Sequence, residues 1–387
     1  MNILYVTTIS NTINAFLIPH IKLLTEQGHK VSIACNIVQD IDSDLLNLIC
    51  KIHYVPFQRN PIKRENMIAY KTIKKVVNDG GYTIIHVHTP VASFLTRLAC
   101  RNLSFVRILY TAHGFHFFKG APLKNWIIYH TIERIVAKWT DVLITMNDED
   151  YQYATKFKSR RLSTYKVNGV GLDLSKFSPP CHGEKDRLRR NYGFNREDFI
   201  LIYVGELSYR KHQDLLIKAV FLLRKKIENI KLLLVGDGDL STEYKLLVQK
   251  LNLQDCVKFL GFRRDIPNLM KLSDIAISTS RQEGLPVNLM EAMATGLPIV
   301  ATNCRGNRDL VRDGINGFII SIHDVEECVR AVDKIYSFEE LRKEFGDFNQ
   351  DLVSSYSIEK VKDEMNTIYL EIFTDIQQNT RYIAKKN

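Results

Sequence analysis

Apolar, β-branched runs recur along the first part of the chain, at NILYVTT (2–8), KVSIACN (30–36), TIIHVHT (83–89), RILYTAH (107–113) and VLITMN (142–147). Most are separated by stretches of helical period, such as 12–27 and 124–140. Strands that alternate with helices predict a parallel sheet covered on both faces. The pattern restarts at FILIYVGE (199–206), continues through KLLLVGDG (231–238), VKFLGF (257–262), IAISTS (275–280) and IVATNC (299–304), and closes at NGFII (316–320). The expected fold is therefore α/β, with two Rossmann-like, doubly wound parallel-sheet domains at 1–172 and 173–365 and a terminal helix, 366–387, returning to the first. The joint near 168–198 loses its period in NGVGLDLSKFSPPCHGEKDR and carries Pro179-Pro180, as a linker does. Open sheets of this kind bind ligands beyond the carboxyl ends of their strands, so a central cleft faced by the two domains is the expected site.

Composition narrows the class. With 45% apolar and 25% charged residues, the 387-residue chain is ordinary and globular. No run of 18 apolar residues occurs, so no membrane span is expected. The opening MNILYVTTIS lacks a basic leader and reads as a first strand, not a signal peptide. Seven cysteines are scattered singly, with no C-x-x-C pair, which fits a reduced cytoplasm. The net charge of +10 is uneven: residues 1–170 hold 21 Lys+Arg against 11 Asp+Glu, and the remainder holds 32 of each. That excess points to an acidic neighbour of the first domain, an anionic lipid surface, a phosphorylated acceptor or nucleic acid, with plain solvation as the bland alternative. No single-strand stacking module is visible, so nucleic acid is not an expected partner. The first strand leads into TTISNTINAF, without glycine, and VGDGDLS offers only Gly236 and Gly238, so a dinucleotide cofactor is not expected either.

RQEGLPVNLMEAMATGLPIV (281–300) follows the strand IAISTS and carries two acids, Glu283 and Glu291. Pro286 favours the first turn of a helix, whose free amides and positive dipole end suit a phosphate. Eight residues advance about 800° around a helix, which returns Glu291 to within roughly a quarter turn of the entrance azimuth. Both acids can then address one ligand, and carboxylates accept hydrogen bonds from sugar or ribose hydroxyls. A nucleotide sugar has all these parts. The alternative for Glu291 is a surface helix residue with no ligand.

Glu283, GLPVNLM, Glu291 and the following AMATGLPIVATNCRGNRDLVRDGINGFII resemble the signature of the family 4 glycosyltransferases, retaining enzymes of the two-Rossmann GT-B fold. YVGELSYRKHQDLL is similar to that family's donor-phosphate segment, LLLVGDG and VKFLGF to its next strands, and TAHGFHF to its active-site histidine segment. The resemblance extends over nearly the whole chain and is nearest to transferases of bacterial exopolysaccharide and capsule clusters. It implies that Lys211 neutralises the donor diphosphate beside Gly205, that Glu291 binds ribose hydroxyls, and that Glu283 holds hydroxyls of the transferred sugar. It further implies that Gly284, Leu285 and Pro286 lend backbone amides, that Phe262 and Arg263 flank the base, and that His113 sits by the transferring sugar. Glu206 departs from the pattern, standing where most members have arginine, and a carboxylate cannot compensate a diphosphate. Arg210 is the candidate substitute. Neither metal nor cofactor is implied, and no side-chain nucleophile.

Other readings compete. His86, His88, His113 and His116 form H-x-H and H-x-x-H pairs that could bind zinc, line a polar cleft, or simply pack. His86 and His88 share one strand face by period two, with HVHTP running into the cleft loop. RNPIKRENMIAYKTIKKVV (59–77) combines Arg59, Lys63, Arg64, Lys71, Lys74 and Lys75 with Ile62, Met67, Ile68 and Tyr70, as an interfacial helix on anionic lipid does; its apolar face could equally pack on the sheet. Lys71, Lys74, Lys75 and His88 are the expected acceptor and membrane side of the first domain. A UDP-linked N-acetylhexosamine donor and an undecaprenyl-diphosphate-linked acceptor, met at the inner face of the cytoplasmic membrane, are what the resemblance favours. An epimerase or phosphorylase on the same fold, and a noncatalytic sugar-nucleotide sensor, are the competing classes.

Overall fold

The computed structural model describes residues 1–159 and 161–384. The chain forms two units. The first comprises Met1–Gly171 together with the stretch from Ile358 onward, and the second comprises Leu172–Ser357.

The first unit is built on seven parallel strands: β1 (Asn2–Ile9), β2 (Lys30–Asn36), β3 (Lys51–Tyr54), β4 (Ile84–His88), β5 (Arg107–Ala112), β6 (Val142–Thr145) and β7 (Ser163–Lys166). Their spatial order is β3-β2-β1-β4-β5-β6-β7. The central strands β4, β5 and β6 are buried almost throughout because helices cover both faces, which is why they read as continuous apolar runs. The edge strands β3 and β7 are half exposed, and neither belongs to the expected set.

Helix α1 (Ile18–Glu26) continues a helical run from Ser10 through a π turn at Ile13–Leu17. Helix α2 (Glu65–Asp79) buries Asn66, Ala69, Ile73 and Val77, one stripe at helical spacing. Helix α3 (Pro90–Cys100) has proline in its first turn. Helix α4 (Thr131–Val136) lies within a helical run from Leu123 to Trp139 that includes a π turn at Trp126–His130. Both α2 and α4 pack on α3, and the small residues Ala69, Ala92 and Ala99, with Ala137 just after α4, share a core with Ile73, Val77 and Phe117. A buried ion pair of Arg97 and Glu133, 2.9 Å apart, joins α3 to α4, with Arg97 also 4.2 Å above the Tyr110 ring. Removing either partner would strand a buried charge, at a cost of about 3–5 kcal/mol.

The second unit repeats the plan with six parallel strands, β8 (Phe199–Val204), β9 (Ile230–Val235), β10 (Val257–Gly261), β11 (Ile275–Ser278), β12 (Ile299–Thr302) and β13 (Gly317–Ile320), in the order β10-β9-β8-β11-β12-β13. Helices α5 (Gln213–Leu223) and α6 (Val287–Ala294) contribute to separate apolar clusters, one around Leu201, Leu216 and Leu232 and one around Ile200, Leu289 and Met293. After this unit the chain enters α7 (Ile358–Ala384), which starts at Ile358 and not near 366. Its buried stripe of Val361, Met365, Ile368, Tyr369, Ile372 and Phe373 belongs to the first unit, where α7 packs on α1.

Candidate active site

In the second sheet the winding direction reverses between β8 and β11, the place where an open parallel sheet leaves a crevice for a ligand. The loops that follow these strands, 205–212 and 279–286, are tied together there. The Tyr203 hydroxyl donates to the Lys211 carbonyl at 2.9 Å and lies 3.0 Å from Ser280 Oγ. Thr279 Oγ1 donates to the His212 carbonyl at 2.8 Å, and the Arg281 amide to the Arg210 carbonyl at 2.8 Å. His212, next to Lys211, holds φ +56, a left-handed conformation uncommon outside glycine. Gly205 lies against the Lys211 side chain, and a Cβ there would meet Lys211 Cε at 3.4 Å.

Glu283 is the centre of this arrangement. Lys211 Nζ donates to its Oε1 at 2.5 Å, Arg210 donates to Oε2 at 3.1 Å, and the Ser280 hydroxyl donates to Oε1 at 2.7 Å. Burial on its own raises the Glu283 pKa, but the Lys211 and Arg210 charges and these hydrogen bonds outweigh it and hold the carboxyl below its ordinary value. The Glu283 carbonyl accepts from buried Arg305 at 2.9 Å. At Gly306, with φ +80, a Cβ would lie 2.3 Å from the Gly284 carbonyl oxygen, so the loop can take this path only past a glycine.

Arg210 therefore turns its guanidinium to Glu283, while Glu206 is exposed and uses its main-chain carbonyl to accept from Gln213 at 2.8 Å. Two cations thus stand at the loop although position 206 carries none. Helix α6 begins after Pro286. Pro286 has no N–H, which corrects the expectation that it lends an amide; the donors at this turn are Gly284, Leu285 and the first residues of α6. Glu291 lies in the second turn of α6, where burial pushes its carboxyl up to about 7. Phe262 follows β10 with 80% of its surface exposed. The neighbouring Arg263 is forked onto Asp265 at 2.8 and 2.6 Å and, among the described residues, takes no part in the hydrogen bonds around Glu283.

Four residues that the pattern does not single out complete the setting: Tyr203, Ser280, Arg305 and Thr302, whose Oγ1 donates to the Ser280 carbonyl at 2.5 Å. The alternation in ISTS places Ser278 and Ser280 on one face, the one signal available for Ser280.

The first unit gathers its histidines at the ends of β4 and β5. His86 Nδ1 is 2.6 Å from the Tyr369 hydroxyl and its Nε2 is 2.7 Å from Thr111 Oγ1, so both nitrogens are engaged and neither lone pair is left for a metal. His88 Nδ1 is 3.2 Å from His113 Nε2. His88 is buried, not on an outer acceptor face, and stands apart from exposed Lys71, Lys74 and Lys75 on α2. His116 is exposed beside the Tyr129 ring. Burial lowers the pKa of His86 to about 3 and that of His113 to about 4, so both are neutral at physiological pH. Among the described residues no cluster of three or more His, Cys, Asp or Glu suits a metal ion. Thr89, which follows His88, holds φ +64, an outlier for a β-branched residue, and is kept there by Thr8, whose Oγ1 lies 2.7 Å from Thr89 Oγ1.

Two parallel-sheet units of this kind are those of a GT-B transferase. The Anabaena HepE structure, solved in complex with UDP and glucose, matches 96% of this chain and 100% of that chain with a TM-score of 0.78 at 19% identity, a likeness of fold. Residues 184–351 match the family model for glycosyl transferases group 1, and residues 2–147 the model for glycosyl transferase 4-like proteins. EpsD of Bacillus subtilis (strain 168), a glycosyltransferase by provisional name, is 37% identical over 369 residues, 95% of this chain and 96% of its own. The UDP-Gal:alpha-D-GlcNAc-diphosphoundecaprenol alpha-1,3-galactosyltransferase of Escherichia coli is 27% identical over 91% of both chains. The chain belongs to this glycosyltransferase family.

Proposed function

We propose that the protein transfers a hexose or N-acetylhexosamine from a UDP-linked donor to a polyprenyl-diphosphate-linked saccharide, with retention of configuration, during assembly of a surface polysaccharide. The observation that carries this reading is the convergence of Lys211, Arg210 and Glu283 at the switch point, with Glu291 in the second turn of the helix that follows. When a sugar leaves a nucleoside diphosphate, negative charge grows on the diphosphate, and Lys211, Arg210 and the amides of Gly284 and Leu285 are the groups that stabilise it, without metal or cofactor. Glu283 holds hydroxyls of the sugar, Glu291 those of the ribose, and Phe262 and Arg263 flank the base. The first unit contributes His113 to the transfer step. The donor and acceptor classes draw support from the Escherichia coli relative, whose name specifies a UDP-sugar and a diphosphoundecaprenol-linked acceptor.

The test is incubation with a panel of labelled UDP-sugars and a lipid-diphosphate-linked acceptor. One donor is expected to be transferred, in chelator as well as without it, giving a product with the donor's anomeric configuration by NMR. Glu291→Ala should weaken donor binding by about 1.5–3 kcal/mol, because it removes charged hydrogen bonds to hydroxyls. Glu283→Gln should lower kcat more than affinity. Epimerised donor, or binding without turnover, would overturn the reading.

A further inference from the structure

A cavity of about 20 Å3 lies in the first unit beside His113, walled in part by His20, His86, His88, Thr111 and Val170. Two ring nitrogens on this wall, His20 Nδ1 and His88 Nε2, have no hydrogen-bond partner among the protein's own groups. Their residues come from separate elements, α1 and β4, and are only 6% and 3% exposed. Buried polar atoms are rarely left without a partner. A water needs roughly 10–15 Å3 and two to four polar partners, so this space suits one molecule.

The surrounding hydrogen bonds fix part of the protonation pattern. His20 Nε2 is 3.2 Å from the Val170 carbonyl, which can only accept, so Nε2 carries the hydrogen and Nδ1 is left as an acceptor. His88 Nδ1 and His113 Nε2 lie 3.2 Å apart, and burial keeps both rings neutral. One must donate and the other accept, so the tautomer of His88 dictates that of His113. Among the described residues His113 Nδ1 makes no hydrogen bond, and it is the nitrogen left for a substrate.

We propose that one ordered water bridges His20 Nδ1 to His88 Nε2, and that His88 is the positioning residue of His113, fixing its tautomer and the direction of its ring. The water donates one O–H to His20 Nδ1 and meets His88 Nε2 with its other hydrogen or with a lone pair. His88 has little freedom to turn away: the Tyr5 ring stacks on it at 5.5 Å, the His86 ring lies 4.2 Å off, and its carbonyl accepts from Thr89 Oγ1 at 2.5 Å in the strained turn. No proton crosses this chain during turnover; it acts by holding one hydrogen-bond pattern. The inference rests on the reading that His113 serves the transfer step.

Kinetics and imidazole 15N NMR of the full chain test it. In the wild type, His88 and His113 should each show a single neutral tautomer between about pH 6 and 8. His88→Ala should lower kcat by about 10- to 100-fold, as a misdirected group near the chemistry does, with the donor KM within about twofold. His88→Gln, which keeps a donor and an acceptor, should recover part of that loss, which a purely structural defect would not. His20→Leu should give a smaller fall in kcat and disturb the His113 tautomer. UDP-sugar affinity and the thermal midpoint control for folding. Averaged tautomers in the wild type, or a fully active His88→Ala beside an inactive His113→Ala, would overturn this inference alone. A fully active His113→Ala would instead overturn the reading on which it rests. A high-resolution crystal structure with no water between the two nitrogens would overturn the bridge.

Discussion

If Glu291 holds the donor as proposed, the site is sensitive to pH. Burial pushes its carboxyl up to about 7, well above an unfolded glutamate. Between about pH 4.3 and 7 the native state therefore holds more protons than the unfolded state, and this group's contribution to stability falls as pH rises. Ligand hydroxyls donate to the ionised carboxylate, so donor affinity moves the other way. For an intact UDP-sugar, Kd should weaken by up to about tenfold per unit as pH falls below 7, and level off above it. Burial holds His20 and His113 near 4 and His86 near 3, so these rings stay silent in that window. Glu291→Gln should flatten the profile and raise the thermal midpoint more at pH 8 than at pH 5. Calorimetry across that range decides the matter, and a flat wild-type profile would remove Glu291 from the donor site. The acids themselves are legible in the spacing of EGLPVNLME, but their difference in state is not. Glu283 is kept ionised by Lys211 and Arg210, which precede it by more than 70 residues, and its main-chain carbonyl is held by Arg305 beyond it, pairings that no local pattern carries.

At the level of elements, runs such as IIHVH and FILIYV announce their strands because both faces are covered. The edge strands KIHY and STYK do not, because each offers solvent half its surface and so lacks an apolar run. The start of α7 at Ile358 is hidden for a related reason: its first turns carry Glu359, Lys360 and Lys362 around a single buried Val361. Tyr369 on α7 then reaches 2.7 Å from the Tyr5 hydroxyl and 2.6 Å from His86 Nδ1, fastening the chain's last helix to its first and fourth strands. Tyr369→Phe keeps the packing and leaves those two buried groups without their partner, at about 1–3 kcal/mol. The transition of the first unit should fall by several degrees, at roughly 2–4 °C per kcal/mol for a unit of this size. UDP-sugar affinity, which the proposed function assigns to the second unit, should be unchanged. A variant as stable as wild type would mean that α7 is held by apolar contact alone.

For the molecule as a whole, the uneven charge is the feature to explain: all of the +10 excess arises in residues 1–170. Among the described residues no helix is long and apolar enough to cross a membrane. Helix α2 spends Ala69, Ile73 and Val77 on the core, as the packing alternative for that stretch expects, yet it leaves Met67 and Ile68 exposed beside Lys71, Lys74 and Lys75. The run from Leu123, which packs on the same α3, exposes Leu123, Ile127, Ile128 and Ile135 beside Lys124, Arg134 and Lys138. Apolar side chains among basic ones are the composition of a surface that rests on anionic lipid, and a lipid-linked acceptor rewards such contact. Each Lys or Arg near an anionic bilayer contributes about 1 kcal/mol, fading within a Debye length of about 8 Å at physiological salt. Lys71→Glu, Lys74→Glu and Lys75→Glu together should abolish sedimentation with anionic vesicles and slow transfer to a lipid acceptor, while transfer to a short-chain, water-soluble acceptor stays nearly intact. Ile127→Ser with Ile128→Ser should weaken vesicle binding at high salt as well as low, because the apolar contribution is not screened. Equal loss on both acceptors would assign these residues to the fold, and equal vesicle binding by wild type and all variants would remove the membrane from the account.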